Sequence, residues 1–322
     1  MIVVTGGAGF IGSCLVARLN ATGRQDLIVV DRLEENDAKN RNLAGKRYAR
    51  YADKKAFLDD VLAERVDGPV ETVIHMGACS STTGTDQKYY ETNNFEYTKH
   101  LASWCVKRNA RLIYASSAAT YGNGEEGYSD DDATTRRLKP LNFYGESKHK
   151  FDLWALDHGL TAGTVGLKFF NVFGPNEYHK GDMRSVVAKA YAKVAGEGTM
   201  SLFKSYHKDY RDGEQKRDFI YVKDAVDVVM FFVNSPHVNG IYNVGTGEAR
   251  TWNDLALALF AAVGKKPQIE YIDMPEHLRP RYQYFTEAQM SKLRNAGYRK
   301  PFMSLEDAVK DDVEYLKAGG TL

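Results

Sequence analysis

An apolar run at residues 2–5 leads straight into Thr5-Gly6-Gly7-Ala8-Gly9-Phe10-Ile11-Gly12, and this glycine-rich corner constrains the chain more than any other feature. Short runs rich in Val, Ile and Leu follow it at residues 27–31, 72–76, 112–116 and 164–170. Apolar runs this short read as parallel strands buried on both faces. Between them apolar residues recur at helical spacing, as at Ile11, Leu15 and Leu19. Strand–helix alternation predicts an α/β fold built on a doubly wound parallel sheet.

The corner sits where such a sheet of the Rossmann type binds a dinucleotide. Gly6 permits the tight turn, Gly9 lets the backbone approach a pyrophosphate, and Gly12 lets the helix pack closely on the strand. The helix start supplies free amides and partial positive charge to the phosphates. Asp31 ends the second run, where a carboxylate receives a ribose 2′-hydroxyl and suggests NAD. Arg32 follows it, and with Lys39 and Lys54 it suits a 2′-phosphate. The cations together tilt the expectation to NADP, with NAD as the alternative.

Beyond residue 175 the texture changes to helices near 184–195, 222–234, 252–263 and 304–317, with short strands at 219–222, 241–244 and 269–272. The expected division is a cofactor-binding domain at 1–175 and a smaller C-terminal α/β domain at 176–322 that mainly binds substrate, with segments free to cross over. Residues 123–138 and 204–216 are densely charged and read equally as lids or as solvated loops.

The totals narrow the function. Among 322 residues, 43 Lys and Arg face 42 Asp and Glu, a net charge of +1. That excludes nucleic-acid binding by bulk electrostatics and a polybasic membrane anchor. Cys14, Cys79 and Cys105 make no disulfide framework, which points to a reducing cytoplasm. The start of the chain lacks the basic and apolar segments of a signal peptide, and the longest apolar run, 255–263, is too short for a bilayer. No His or Cys spacing suggests a metal site.

Tyr144-Gly-Glu-Ser-Lys148 places a phenol and an ammonium four residues apart, on one helical face. An ammonium beside a phenol favours the phenolate and lowers its pKa from ~10. Such a phenolate can take a hydroxyl proton while hydride leaves the same carbon. Ser117, just past the apolar run at 112–116, can hydrogen-bond that hydroxyl. Tyr51 and Lys55 share the same spacing with no chemistry around them, and serve as an internal control. Cys79 near His75 reads as a small residue packed under a nicotinamide, not as a nucleophile.

With these motifs in order, and with Phe170-Asn-Val-Phe-Gly-Pro175 and Arg217-Asp-Phe-Ile-Tyr-Val-Lys-Asp224, the chain resembles the extended short-chain dehydrogenase/reductases that modify nucleotide sugars. Ala118-Ala119 stand where dehydratases of that family carry an acid pair, so the resemblance favours an epimerase. Gly77-Ala-Cys-Ser-Ser-Thr-Thr83, His179-Lys180-Gly181 and Arg281-Tyr282-Gln283 are similar to members acting on C6 of an ADP-linked heptose for the lipopolysaccharide core.

That resemblance implies transient NADP-dependent oxidation at C6, rotation of the ketone and reduction on its other face. It implies bases at Tyr144 and Lys180, with Ser117 and Lys148 supporting. Implied cofactor contacts are Phe10, Ile11, Asp31, Arg32, Lys39, Lys54, Met76, Gly77, Ala78, Cys79, Ser80, Asn93, Lys148 and Val172. Implied substrate contacts are Ser117, Asn171, Lys180, Asp182, Lys189, Phe203, Lys204, Ser205, Tyr206, Arg217 and Tyr282. Arg217 suits a diphosphate because a guanidinium binds phosphate bidentately. Met76, Asp182 and Lys189 depart from the family's Glu, Ser and His, and the 204–216 loop is longer. A homo-oligomer, as a pentamer, is implied as well. Alternatives are a C4 epimerase of UDP-sugars and a non-enzymatic NADP-sensing regulator.

Overall fold

The structure is a computed structural model that describes residues 1–32, 38–276, 278–279 and 282–322. Arg281, part of one motif above, lies outside the described residues. In chain order the strands are β1 (Ile2–Thr5), β2 (Leu27–Asp31), β3 (Arg50–Asp53), β4 (Thr72–His75), β5 (Arg111–Ser117) and β6 (Thr164–Phe169). They continue with β7 (Asn171–Phe173), β8 (Met200–Phe203), β9 (Lys216–Tyr221), β10 (Gly240–Val244), β11 (Ala249–Thr251) and β12 (Ile269–Ile272).

The apolar runs become the centre of a seven-stranded parallel sheet in the order β10-β6-β5-β4-β1-β2-β3. Successive residues divide between its faces, as the pleat requires. Val4 and Val29 join one core, while Val3, Ile28 and Val30 join the other. The strand order reverses between β1 and β4, the switch point at which open α/β sheets bind ligands. The Rossmann-type α/β expectation therefore holds.

Strand β3 is absent from the sequence reading because it carries no apolar run: at this sheet edge only Ala52 is buried. The expected strand at 241–244 does not join the small sheets. It closes the main sheet as β10 beside β6. The crossover helix Val222–Asn234 before it lies on the first helix, Phe10–Ala21, where Arg18 pairs with Asp227 at 3.0 Å.

The remaining strands form the sheets β11-β9-β7 and β12-β8. Helices Val186–Glu197, Trp252–Val263 and Leu305–Ala318 flank them, each started by a side-chain cap, at Ser185, Thr251 and Ser304. Residues 123–138, equally readable as a lid, are packed down. Asp130 accepts the Asn243 amide at 2.8 Å, Tyr121 donates to the Asn243 side chain at 2.7 Å, and the Tyr128 hydroxyl bonds the Phe285 carbonyl. Residues 204–216 close as a loop in which the Ser205 amide donates to Asp212 at 2.7 Å and Gln215 is buried. Among the described residues no helix is long and apolar enough to cross a membrane.

Candidate active site

The loops after β1 and β4 meet at the switch point. Gly6 has φ +66°, and a Cβ there would lie 2.6 Å from the Gly77 nitrogen. A Cβ on Gly12 would run into the Gly6 carbonyl. Gly9 caps the helix Phe10–Ala21 with no side-chain bond, and its first turn carries no acid. Its amides and partial positive charge are thus left to an outside anion, as a dinucleotide diphosphate requires.

His75 does not belong to the chemistry. It is buried between the Thr5 hydroxyl at 2.5 Å and the Thr98 hydroxyl at 2.9 Å, and stacks on Tyr97. Burial, with Lys148 nearby, pushes its pKa down to about 3. It is a neutral core histidine. Burial pushes the Cys14 and Cys105 thiols up to about 12, which leaves them inert.

At the end of β2, Asp31 accepts the Ala8 amide at 3.0 Å and pairs with Lys39 at 2.5 Å. Lys54 donates to the Asn93 side chain at 2.9 Å. Its pKa is lowered by burial and then by Arg32, with Lys39 adding to the effect. The predicted cations Arg32, Lys39 and Lys54 are therefore neighbours around Asp31. Asn93 lies in a π-helical turn, Glu91–Glu96. The wider turn faces its neighbour Asn94 inward, a geometry common at functional sites. Asn94 accepts the Cys79 amide at 2.8 Å and donates to the Ser147 hydroxyl at 2.9 Å. The predicted segment Met76–Ser80 is thereby tied to the helix Phe143–Asp157. The sequence reading missed Asn94, and two successive asparagines before a helix were the available signal.

Asn142 starts the helix Phe143–Asp157 by accepting the Gly145 amide at 2.8 Å. Tyr144 and Lys148 lie on its face toward β5. The Ser117 hydroxyl caps the turn Ala118–Tyr121 at the end of β5, accepting the Ala119 amide at 3.1 Å. It lies near enough to the Tyr144 hydroxyl to act on it, favouring the phenolate. Lys148 is 4% exposed and donates to the Ala115 carbonyl at 2.7 Å. Burial brings its pKa down to about 8, against the pull of Asp152.

One expectation is corrected here. The spacing predicts a Tyr144 pKa lowered by Lys148, but in the protein alone it is raised. Burial outweighs the Ser117 hydrogen bond that favours the phenolate. Lys148, anchored on a carbonyl and itself depressed, does not offset that desolvation.

A cavity of about 190 Å³ opens between the segments next to Ser117 and Tyr144 and the C-terminal strands, with Thr82, Ala119, Asn142, Arg217, Tyr282 and Gln283 in its lining; Ser117, Tyr144 and Lys148 are not among the lining residues. Arg217 is 6% exposed. Its guanidinium donates to the main-chain carbonyls of Lys216 and Gln283 and lies 5.1 Å from the Tyr282 ring centre. Burial lowers its pKa. A buried cation satisfied by carbonyls and aromatic faces suits a phosphate ligand. Thr82, Asn142 and Gln283 were not read as lining residues from the sequence.

The other implied substrate contacts are not in this lining. Asn171, Val172 and Phe219 line a second, smaller groove with Trp252. Lys180 stands 4.9 Å over the Phe10 ring and 3.9 Å from Glu177, and burial lowers its pKa. Lys189 and Asp182 face solvent, joined by a 3.3 Å bond from the lysine to the Asp182 carbonyl. Phe203 ends β8. Lys204 and Tyr206 both reach Asp273, at 3.2 and 2.8 Å, and Arg279 covers the Tyr206 ring at 3.9 Å.

A glycine cradle at the switch point with a Ser–Tyr–Lys set beside it defines the class, and the chain belongs to the NAD dependent epimerase/dehydratase family, whose pattern matches residues 2–245. Its relatives narrow the class. The ADP-L-glycero-D-manno-heptose-6-epimerase of Nitratidesulfovibrio vulgaris strain DP4 is 56% identical over 99% of this chain and 98% of that protein. The crystal structure of the Helicobacter pylori ADP-L-glycero-D-manno-heptose-6-epimerase superposes with a TM-score of 0.82 at 28% identity, covering 98% of this chain and 96% of that one. The Thermus thermophilus UDP-glucose 4-epimerase complex with NAD follows at a TM-score of 0.74 and 26% identity, with 98% of each chain covered. The resemblance read from the motifs thus holds.

Proposed function

We propose that this chain interconverts ADP-D-glycero-β-D-manno-heptose and ADP-L-glycero-β-D-manno-heptose, in the cytoplasm, for the lipopolysaccharide core. The relative at 56% identity supports the substrate. The observation that carries the reading is the cavity that the buried Arg217 lines together with Ala119 and Asn142, each two residues along the chain from Ser117 and Tyr144. A guanidinium suited to a diphosphate thus opens on the same cavity as the two segments that carry the proton-transfer residues.

The Gly6–Gly12 corner and the helix behind it would hold the dinucleotide diphosphate, and Lys148 would hold its ribose. The bound cofactor supplies a hydride acceptor, then a hydride donor, at C6. Tyr144 removes the C6 hydroxyl proton as hydride leaves that carbon, with Ser117 fixing the hydroxyl. The ketone then turns its other face. Hydride returns to carbon, and Lys180 gives a proton to the oxygen. Burial of Lys180 eases that proton's release, because it destabilises the ammonium. Electrons balance within each cycle. Residues 176–322 supply most substrate contacts, while β10 and the helix before it serve the cofactor sheet. Assembly as a homopentamer is part of this proposal.

The decisive experiment is incubation with ADP-D-glycero-β-D-manno-heptose without added NADPH, followed by NMR. The C6 epimer should accumulate to a constant ratio. Preference for UDP-hexose over the ADP-heptose would overturn the substrate assignment.

NADP is proposed over NAD because Arg32, Lys39 and Lys54 surround the ribose position. Removing Arg32 and Lys54 together (Arg32→Ala with Lys54→Ala) should cut the NADP-to-NAD affinity ratio by about 10-fold or more, at ~1.5–3 kcal/mol per charged hydrogen bond. Fluorescence titration of both cofactors reads this directly. An unchanged ratio would remove the 2′-phosphate assignment.

A further inference from the structure

We infer that the buried ion pair Asp152–Lys168 is a positioning element for Ser117, Tyr144 and Lys148, and that Asp152 is the counter-charge that keeps Lys148 protonated. The inference rests on the reading of Tyr144 and Lys148 as the proton-transfer pair.

Asp152 and Lys168 are both fully buried, 2.8 Å apart. The pair is expensive to bury, since desolvation of two ions offsets most of their attraction. Here its remaining hydrogen-bonding capacity is directed at the elements that carry the site. Asp152 accepts the Ser116 hydroxyl at 2.7 Å and the Tyr114 hydroxyl at 3.0 Å, both on β5. Lys168, on β6, also donates to the Thr120 hydroxyl at 2.8 Å. Thr120 in turn donates to the Ser117 carbonyl at 2.8 Å. One ion pair thus joins the end of β5, the turn Ala118–Tyr121, β6 and the helix of Tyr144.

The spacing completes the argument. Asp152 follows Lys148 by four residues and Tyr144 by eight, so all three share a helix face. Lys148 has lost its water and rests on a neutral carbonyl. The titratable groups facing it among the described residues are Tyr144, one turn back on the same helix, Asp152, and His75, which is held neutral. Around Asp152 stand Lys168, Tyr114, Tyr121, Lys148 and His149. Asp152 opposes the effect of burial on Lys148, raising its pKa. Even the packing is arranged for the network: Gly166 on β6 faces Tyr114, and a Cβ there would strike the Tyr114 hydroxyl.

The test is NMR titration of 13C-lysine-labelled protein carrying its cofactor, with the Lys148 signal assigned by its loss in Lys148→Met. Asp152→Asn should move the Lys148 midpoint down by about one pH unit, the size of effect a nearby opposite charge exerts. Lys168→Met should move it up, because the carboxylate's field is then uncompensated. The double variant Asp152→Asn with Lys168→Met guards against misfolding, since no charge is left unpaired, and it should still shift the midpoint down, by less than Asp152→Asn alone because the Lys168 charge is gone as well. A midpoint unchanged in the folded double variant would overturn the inference. The epimerisation assay is separate: wild-type failure there sinks the functional reading, while the titration still decides the role of Asp152. Activity adds a second readout, in which the alkaline limb of kcat moves down with Asp152→Asn at unaltered KM.

Discussion

Tyr144→Phe should lower turnover by about 10²–10⁴-fold, the usual contribution of one positioned acid–base group, while the protein keeps its cofactor. The phenol hydroxyl is the only group removed, and it lies near Ser117 at the end of β5. No cofactor cradle residue depends on it: the glycine corner, the helix Phe10–Ala21 and the Asp31 cluster lie on other elements. Burial holds the Tyr144 pKa up in the protein alone, so its phenolate fraction rises with pH. The wild-type rate should therefore climb through the neutral range, and the variant should lose that climb along with its rate. Turnover by NMR and cofactor content by absorbance check both halves. Near-normal turnover would disprove the base assignment. Tyr51→Phe is the matched control. Tyr51 lies on the edge strand β3, and its hydroxyl makes a 3.3 Å bond to the Arg32 carbonyl. Its loss should change turnover less than about two-fold by the weakness of such a bond. A loss equal to that of Tyr144→Phe would mean that the wrong pair was chosen.

Arg217→Met should raise KM for the ADP-sugar by roughly 30-fold or more, from the ~2–5 kcal/mol lost when one partner of a buried charge pair is truncated. The guanidinium is nearly enclosed, held by carbonyl oxygens and flanked by Tyr282 and Trp252. Its lowered pKa shows that this environment disfavours the charge. The sign follows: replacing it with a neutral side chain of similar length should leave the melting temperature unchanged or higher, while binding collapses. Arg217→Lys keeps the charge but not the planar fork, and should fall between wild type and Met. Steady-state kinetics and thermal melts separate these effects. A KM within about three-fold of wild type in Arg217→Met would remove Arg217 from the diphosphate site.

Much of this was legible in the chain. Short apolar runs with an intervening helix period can only be buried as a parallel sheet, so residues 2–5, 27–31, 72–76, 112–116 and 164–170 read directly as strands. The glycine corner was legible because a turn that touches Gly77 and a helix that touches the Gly6 carbonyl exclude every side chain. Tyr144, Lys148 and Ser117 were legible by spacing. By contrast, β3 was hidden, because an edge strand with one buried residue has no periodic signal. Asn94 was hidden because its direction depends on a π-helical turn. Lys168 left a sign that went unread: a lysine inside an otherwise apolar strand, Thr164–Phe169, must have a buried partner.

By itself, then, the sequence determined the parallel sheet, the glycine corner and the spacing that puts Tyr144 and Lys148 on one helix face. These follow from local rules of pattern, backbone freedom and helical spacing. Only the tertiary structure decided the charges of those residues and the company they keep. Burial raised Tyr144, depressed Lys148 and neutralised His75. It also brought Asp152 to Lys168, and Arg217 to Tyr282, across elements far apart in the chain. Desolvation and through-space charge depend on what packs around a group, and that is settled only when the layers close.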